Sequence, residues 1–196
     1  MQIGVPLEPI QRAIDAGVAE RALCTDNDPP FIPGTFAWSY VVRTLRNYLL
    51  PLGWRKADPA NYSLVINDKR RISIVVASAD ELTGLDHGNP RTKSLKGLYT
   101  EAAIARNEAN GDLFPETLED RVRVAASVLE YPVWMLLIHI TDQTVRAELS
   151  LPKVLEGKKV VDWSERIFIP LNQSDAWTSD AQDEAPIEFD VEVKRK

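Results

Sequence analysis

The most apolar run of the chain reads Val-Trp-Met-Leu-Leu-Ile-His-Ile and covers residues 133–140. Seven of these eight side chains are apolar, so a strand formed here could not expose either face to water without cost. Pro132 before the run and the polar residues 141–143 after it favour a short strand over a buried helix. We therefore predict that residues 133–140 form the central strand of a sheet, buried on both faces.

The next run alternates between apolar and polar residues. Its two faces are occupied by Val145, Ala147, Leu149 and Leu151 and by Thr144, Arg146, Glu148 and Ser150. This period of two predicts a half-buried strand whose polar side faces solvent. Because the connection from the central strand is too short for a crossover helix, the two strands are predicted to pair antiparallel. Pro152 cannot donate to a sheet hydrogen bond and is predicted to end the second strand.

Apolar residues spaced three and four apart predict four amphipathic helices. The predicted ranges are 9–23, 35–50, 100–110 and 117–130. Thr35 has the side chain of a helix N-cap and follows a break rich in proline and glycine. Thr117 and Asp120 have the spacing of a capping box, with Asp in place of the usual Glu or Gln. Gly17 lies in the middle of the first helix, where glycine is unfavourable.

Two further regions predict strands. Residues 63–67 and 71–77 are predicted to form a hairpin across a polar turn, and residues 160–169 to form one or two strands. Within the last region, Trp163, Ile167 and Ile169 are predicted to share one face, and Arg166 and Phe168 the other. The fold class that follows is α+β: a single domain with an antiparallel or mixed sheet of about five strands packed against helices.

The domain is predicted to cover residues 1–172, and an acidic tail follows it at 173–196. The first part of the tail, residues 173–185, is polar and acidic and is predicted to be flexible. Residues 187–194 alternate again, which fits either an added edge strand or a disordered end. Trp177 is isolated in the acidic segment and is predicted either to anchor a protein partner or to fold back on its own domain.

The composition places the chain among globular proteins that need no covalent staples. It has 196 residues and a single cysteine, Cys24, which excludes an internal disulfide and a multi-cysteine zinc site. Residues 1–20 lack the layout of a signal peptide, and no apolar run is long enough to cross a bilayer. These features predict a soluble, cytoplasmic protein with no membrane partner.

The charge is distributed unevenly along the chain. The net charge is −6, which argues against a generic nucleic-acid-binding protein. Residues 43–106, however, contain eleven Lys or Arg and six Asp or Glu. A basic middle in an acidic chain indicates a surface that faces an anionic ligand, although uneven charge also arises without a function.

The best candidate site lies in the segment 84–100, which has no periodic pattern. It combines three cations within six residues with glycines that let backbone amides approach an anion, and a helix start follows it. Long loops without secondary structure are often functional. The alternative is a solvated surface loop whose lysines bind nothing specific. The predicted ligand-binding residues are His87, Arg91, Lys93, Lys96 and Thr100.

The function predicted from this segment is a non-enzymatic binding or adaptor protein. Its ligand is expected to carry phosphate, or to be nucleic acid, and to bind through the basic segment 84–100. This hypothesis includes no catalytic residue, no cofactor and no metal. The segment lacks the spacing of glycines before Lys-Ser or Lys-Thr that defines a P-loop.

A second hypothesis comes from the order of the elements, which is similar to that of the restriction-endonuclease-like core. The resemblance implies a divalent metal held by an Asp and a Glu/Asp-x-Lys triplet on neighbouring strands. The hairpin does not supply these groups: residues 61–66 contain no acid, and Ser73 and Val75 stand where Glu and Lys would be needed. Asp68 and Asp80 lie at the strand ends instead.

A triplet of the required kind occurs near the end of the chain. Glu192-Val193-Lys194 follows Asp190, after the predicted flexible segment. The alternative function is therefore a metal-dependent nuclease or a catalytically silent relative with that fold.

Two further residues have reactive side chains. His139 lies in the predicted central strand, and the favoured interpretation is a histidine hydrogen-bonded within the sheet or at its rim, since no second His, Cys or carboxylate lies at ligand spacing nearby. A Cys24–His pair for nucleophilic catalysis has no supporting motif.

Overall fold

The computed structural model describes residues 4–109 and 118–171. Within these ranges, one sheet is formed by the strands β1 (Arg55–Ala57), β2 (Leu64–Asn67), β3 (Ile72–Ser78), β4 (Val133–Ile140), β5 (Val145–Glu156) and β6 (Lys159–Phe168). Its α-helices are α1 (Leu7–Ala22), α2 (Ile32–Leu49), α3 (Leu98–Glu108) and α4 (Asp120–Val128), and short 3₁₀ helices occur at Leu50–Leu52 and Pro59–Asn61. None of these helices combines the length and hydropathy needed to cross a bilayer.

The strands lie in the sheet in the same order as in the chain. Every neighbouring pair is antiparallel except β3 and β4, which are parallel. A parallel pair needs a long crossover, and the segment between β3 and β4 contains α3 and α4. The α+β class and the mixed sheet are confirmed. The additional strand β1 has only three residues and no apolar alternation, so no pattern predicted it.

Strand β4 is buried on both faces, as the sequence predicted. Its side chains alternate between two apolar clusters: Leu136 and Ile138 pack on the side of α1 and α2, and Met135 and Leu137 on the side of α3 and α4. The pairs of helices therefore cover opposite faces of the sheet. This three-layer arrangement explains why β4 has no polar face.

Helix α2 begins earlier than predicted. It starts at Ile32, so Pro33 lies in its first turn, where the missing amide of proline removes no helical hydrogen bond. The prediction of Thr35 as N-cap is wrong, because its hydroxyl donates backwards to the carbonyl oxygen of Phe31 at 2.9 Å. The start of α2 is consequently three residues nearer to the end of α1.

Strand β5 continues through Pro152, contrary to the prediction that proline ends it. Pro152 is buried within Val145–Glu156, and the register with β6 shifts on both sides of it. Proline is accommodated at such irregularities because a bulged residue leaves the regular hydrogen-bond ladder. The shift also separates Trp163 from Ile167, which lie on opposite faces of the sheet and not on one face.

The polar side of β5 is buried and does not face solvent, which corrects the prediction of a half-buried strand. Glu148 and Ser150 are both 0% exposed. The segment that follows β3 and the side chain of Arg166 cover this part of the strand. The predicted capping box is wrong, because α4 begins at Asp120 with Glu119 as its N-cap and without a side-chain cap hydrogen bond. The acidic tail from residue 173 lies outside the described residues.

Gly17 marks the closest approach of α1 to α2. A Cβ atom on this residue would lie 2.5 Å from Cγ2 of Val41 and 2.7 Å from the carbonyl oxygen of Ala37. The glycine that is unfavourable for an isolated helix is thus required by the packing of two helices.

We expect Gly17→Ala to lower the free energy of unfolding by about 2 kcal/mol, although alanine is the better helix former, because the added methyl group overpacks the helix interface. Gly34→Ala is the matched control. Its Cβ would meet no atom within 4 Å, so this variant should keep the wild-type stability or gain up to about 1 kcal/mol from the better helix propensity of alanine. Chemical denaturation measures both values, and equal stabilities of the two variants would contradict this explanation.

Candidate functional site

The segment between β3 and α3 is fixed to the sheet at many points. The carboxylate of Asp80 accepts hydrogen bonds from the amides of Leu82 and Arg91. Thr92 forms a bridge with Ala79, and the edge strand β6 bonds to the segment through Val160. The segment is therefore an ordered part of the fold and not a loop extending into solvent.

A buried ion pair holds the first part of this segment. Arg166 donates to both carboxylate oxygens of Glu148, at 2.9 and 2.6 Å, and also to the carbonyl oxygens of Leu85 and Gly88. The segment itself also donates to Glu148, through the amide of Gly84 at 2.7 Å. Because every charge-bearing atom of the carboxylate has a partner, Glu148 tolerates complete burial.

We expect Glu148→Gln to lower the free energy of unfolding by about 3 kcal/mol, since it leaves the half-buried Arg166 without its carboxylate. Glu165→Gln, on the neighbouring edge strand β6, is the control. It removes an equal charge from an exposed position and should lower the free energy of unfolding by less than about 0.5 kcal/mol. Hydrogen exchange should show faster exchange at residues 84–88 in the first variant alone. Unchanged exchange there would show that the ion pair does not hold the segment.

A cavity of about 610 Å³ opens where the second part of the segment passes the start of α2. Its floor is formed by the last residues of the parallel strands, among them Ser78 on β3 and Ile140 on β4. Gly34 and Thr35, from the first turn of α2, and Lys93, from the segment, also line it. Ligand sites in sheets with parallel strands commonly lie at the carboxyl ends of those strands.

The cavity exists because β2 is shorter than β3. The pairing of β2 with β3 stops at Val75, so residues 76–78 of β3 have no strand beside them on that side. Their carbonyl groups are satisfied differently: the indole nitrogen of Trp38 donates to Val76 at 3.1 Å, and the amide of Lys93 donates to Ser78 at 2.9 Å. These two hydrogen bonds satisfy the unpaired edge of β3. No strand of the described residues fills the space beside residues 76–78, and this space is the cavity.

Only two of the predicted site residues reach this cavity. Lys93 and Lys96 line it. Arg91 is exposed but is not part of the lining, and His87 is exposed and lies 3.2 Å from the carboxylate of Asp86. Thr100 is buried at 2% exposure in the first part of α3, beside Tyr62. The five predicted residues therefore do not form one site: two line the cavity, two are exposed outside its lining, and one is buried.

The lining of the cavity is electropositive. It contains the cations Arg21, Lys93 and Lys96, and none of its described residues is acidic. The ammonium group of Lys96 donates to Ser94 Oγ at 2.8 Å, and neither lysine forms an ion pair with a described residue. Arg21 is paired with Asp142 at 3.2 Å, but that carboxylate is 90% exposed, so solvent screens the pair.

Burial of the Lys96 ammonium group lowers its pKa to about 8. Desolvation disfavours a charge that has no carboxylate beside it. A negatively charged ligand in the cavity would remove this penalty. The side chain is thus held in a position that is unfavourable for the protein alone and favourable for an anion complex.

Sequence reasoning missed the contribution of α1 and α2 to the cavity. Arg21 comes from the last turn of α1, and Phe31 and Trp38 come from the start of α2. Pro33 and Gly34 were assigned to the irregular segment before α2, so the first turn of the helix was not recognised as part of the cavity. The 68% exposure of Phe31 is visible only in the structure, so no signal in the sequence pointed to this residue.

His139 has the structural role that its surroundings in the sequence favoured. Its Nδ1 atom donates to the carbonyl oxygen of Ala79 at 3.3 Å, and its side chain is buried. Burial lowers its pKa, which keeps it neutral at pH 7.

The nuclease hypothesis receives no support from the described residues. They contain no group of three or more His, Cys, Asp or Glu side chains that could hold a metal. Asp68 is paired with Arg55, and Asp80 accepts backbone amides. The triplet at 192–194 lies outside the described residues, so its role stays a prediction.

Comparison with known protein families, curated proteins and solved structures found no match. The similarity in element order to the restriction-endonuclease-like core therefore stays a prediction. A proposal for the function of this protein must therefore be based on the geometry of the cavity.

Proposed function

We propose that this protein is a non-enzymatic binding module that recognises a phosphate-bearing ligand in the cavity between α2 and the segment after β3. One observation supports the proposal above all: three cations and no described acid line this cavity, in a chain whose net charge is −6. A random distribution of charge in an acidic protein would not favour such a lining. Complementarity to an anion explains it.

The groups around the cavity fit the parts of such a ligand. Lys93 and Lys96 supply positive charge, and Gly34 in the first turn of α2 lines the cavity with them. The amides of Ile32 and Thr35 in that turn already donate to the carbonyl oxygens of Pro29 and Phe31. The side chains of Phe31 and Trp38 add an apolar surface beside them. A phosphate attached to an organic group would use both kinds of contact.

We expect the double variant Lys93→Ala, Lys96→Ala to bind adenosine monophosphate about thirtyfold more weakly than the wild type, because each lysine contributes one charge-assisted contact. Isothermal titration calorimetry measures the affinity. The lysines support no other part of the fold through ion pairs with described residues, so the melting temperature should not fall.

The matched control is Lys69→Ala, Arg91→Ala, which removes the same charge from two exposed positions outside the cavity lining. This variant should bind like the wild type. Equal losses in both double variants would show a general charge effect, and unchanged binding in the first would show that the cavity is not the site.

The affinity should also depend on pH. Lys96 is charged below its pKa of about 8, so binding should be strongest at pH 7 and weaken as the pH rises through 8 towards 9, well before an ordinary lysine titrates. A bound anion favours the charged form and shifts the midpoint upwards. Lys96→Arg keeps its charge over this range, and the loss between pH 7 and 9 should disappear in it. An identical pH profile in wild type and Lys96→Arg would contradict the role of Lys96.

A further inference from the structure

A second basic cleft lies on the other side of Trp38. It has a volume of about 390 Å³ and is lined by Arg43, Arg46 and Lys56 together with polar residues of α2 and the sheet edge. None of its described lining residues is acidic. Two adjoining concave surfaces of the same charge sign therefore share one aromatic side chain.

Two of the three cations of the second cleft are available to a ligand. Arg46 is already engaged, because it donates to Asp58 at 2.6 Å and to the carbonyl oxygen of Leu64 at 3.2 Å. Arg43 lies over the ring of Tyr40, 4.3 Å from its centroid, and is exposed. Lys56 is exposed and forms no ion pair with a described residue.

The two clefts follow one helix. From Thr35, in the first cavity, to Asn47, in the second cleft, α2 rises by about 18 Å at 1.5 Å per residue. Trp38 stands between them with its indole nitrogen fixed to Val76. One phosphate group cannot contact cations at both ends of this path, whereas a chain of linked phosphates can.

The path also presents surfaces for stacking. Phe31 is 68% exposed at the first cavity, and Trp38 is half-buried between the clefts. Basic grooves interleaved with aromatic side chains are typical of proteins that bind single strands, whose bases are free to stack. A paired duplex keeps its bases stacked inside and cannot use such surfaces.

Building on the proposed function, we propose that the ligand is a single-stranded nucleic acid that crosses both clefts along α2, with Trp38 between its two binding segments. Lys93 and Lys96 contact phosphates at one end of the path, and Arg43 and Lys56 contact phosphates at the other. At about 3.4 Å per stacked nucleotide, a path of about 18 Å corresponds to about five nucleotides. Recognition is through the phosphate backbone and stacking.

The test compares ligands of different length on the full chain. Fluorescence anisotropy measures the affinity for labelled oligothymidylates of two and twelve nucleotides, and calorimetry measures the affinity for adenosine monophosphate. Arg43→Ala, Lys56→Ala should weaken binding of the twelve-nucleotide strand about tenfold and reduce the slope of log affinity against log salt by one to two. The same variant should leave adenosine monophosphate and the dinucleotide unchanged. Lys69→Ala, Arg91→Ala should change none of these values.

The outcomes separate this inference from the proposed function. Monophosphate binding that needs Lys93 and Lys96, with no gain in affinity from two to twelve nucleotides, would overturn the second cleft and leave the first site intact. Equal affinity for a duplex of the same length would also overturn the inference. Failure of every phosphate-bearing probe to bind would overturn both proposals.

If loss of the Arg43–Tyr40 contact lowers the melting temperature, Lys56→Glu alone replaces the double variant, with the same expectation for the long strand.

Discussion

The parallel pairing of β3 with β4 is the constraint on which the other features depend. Six residue pairs, from Ser73 with Val133 to Ser78 with Ile138, join the two strands. Parallel strands cannot be joined by a tight turn, so the chain must cross over between them, and the crossover carries α3, α4 and the cationic segment. Both faces of the pair must then be covered by helices. The carboxyl ends of both strands meet at one edge, and this is where the cavity lies.

The protein separates structural charges from the charges that we assign to binding. The pair formed by Glu148 and Arg166 is buried, saturated with hydrogen bonds and placed beneath the first part of the crossover. It contacts the backbone at Gly84, Leu85 and Gly88, in the part of the crossover that precedes Lys93 and Lys96. Those two lysines have no such partners among the described residues. Because the supporting ion pair is internal, the segment can hold unpaired cations in place without placing acids beside them.

The sequence predicted the fold where hydrophobic period decides the structure and failed where packing decides it. The double burial of β4 and the helical stripes follow from spacing alone. The continuation of β5 through Pro152 and the burial of Glu148 depend on partners distant in the chain, which a local pattern does not contain. The candidate site was predicted only in part, because its other residues come from distant parts of the chain. Lys93 and Lys96 are local to one segment, but their position opposite α2 depends on the crossover and on an unrecognised helix start.

The central claim is that an anion binds between the first turn of α2 and Lys93–Lys96, at the carboxyl ends of β3 and β4. The most direct measurement is a titration of the ¹⁵N-labelled protein with adenosine monophosphate, followed by amide chemical-shift changes. Saturable shifts at Gly34, at residues 93–96 and at the indole of Trp38 are the expected result. Shifts confined to exposed residues 86–91, or no saturable shift at any residue, would contradict the claim.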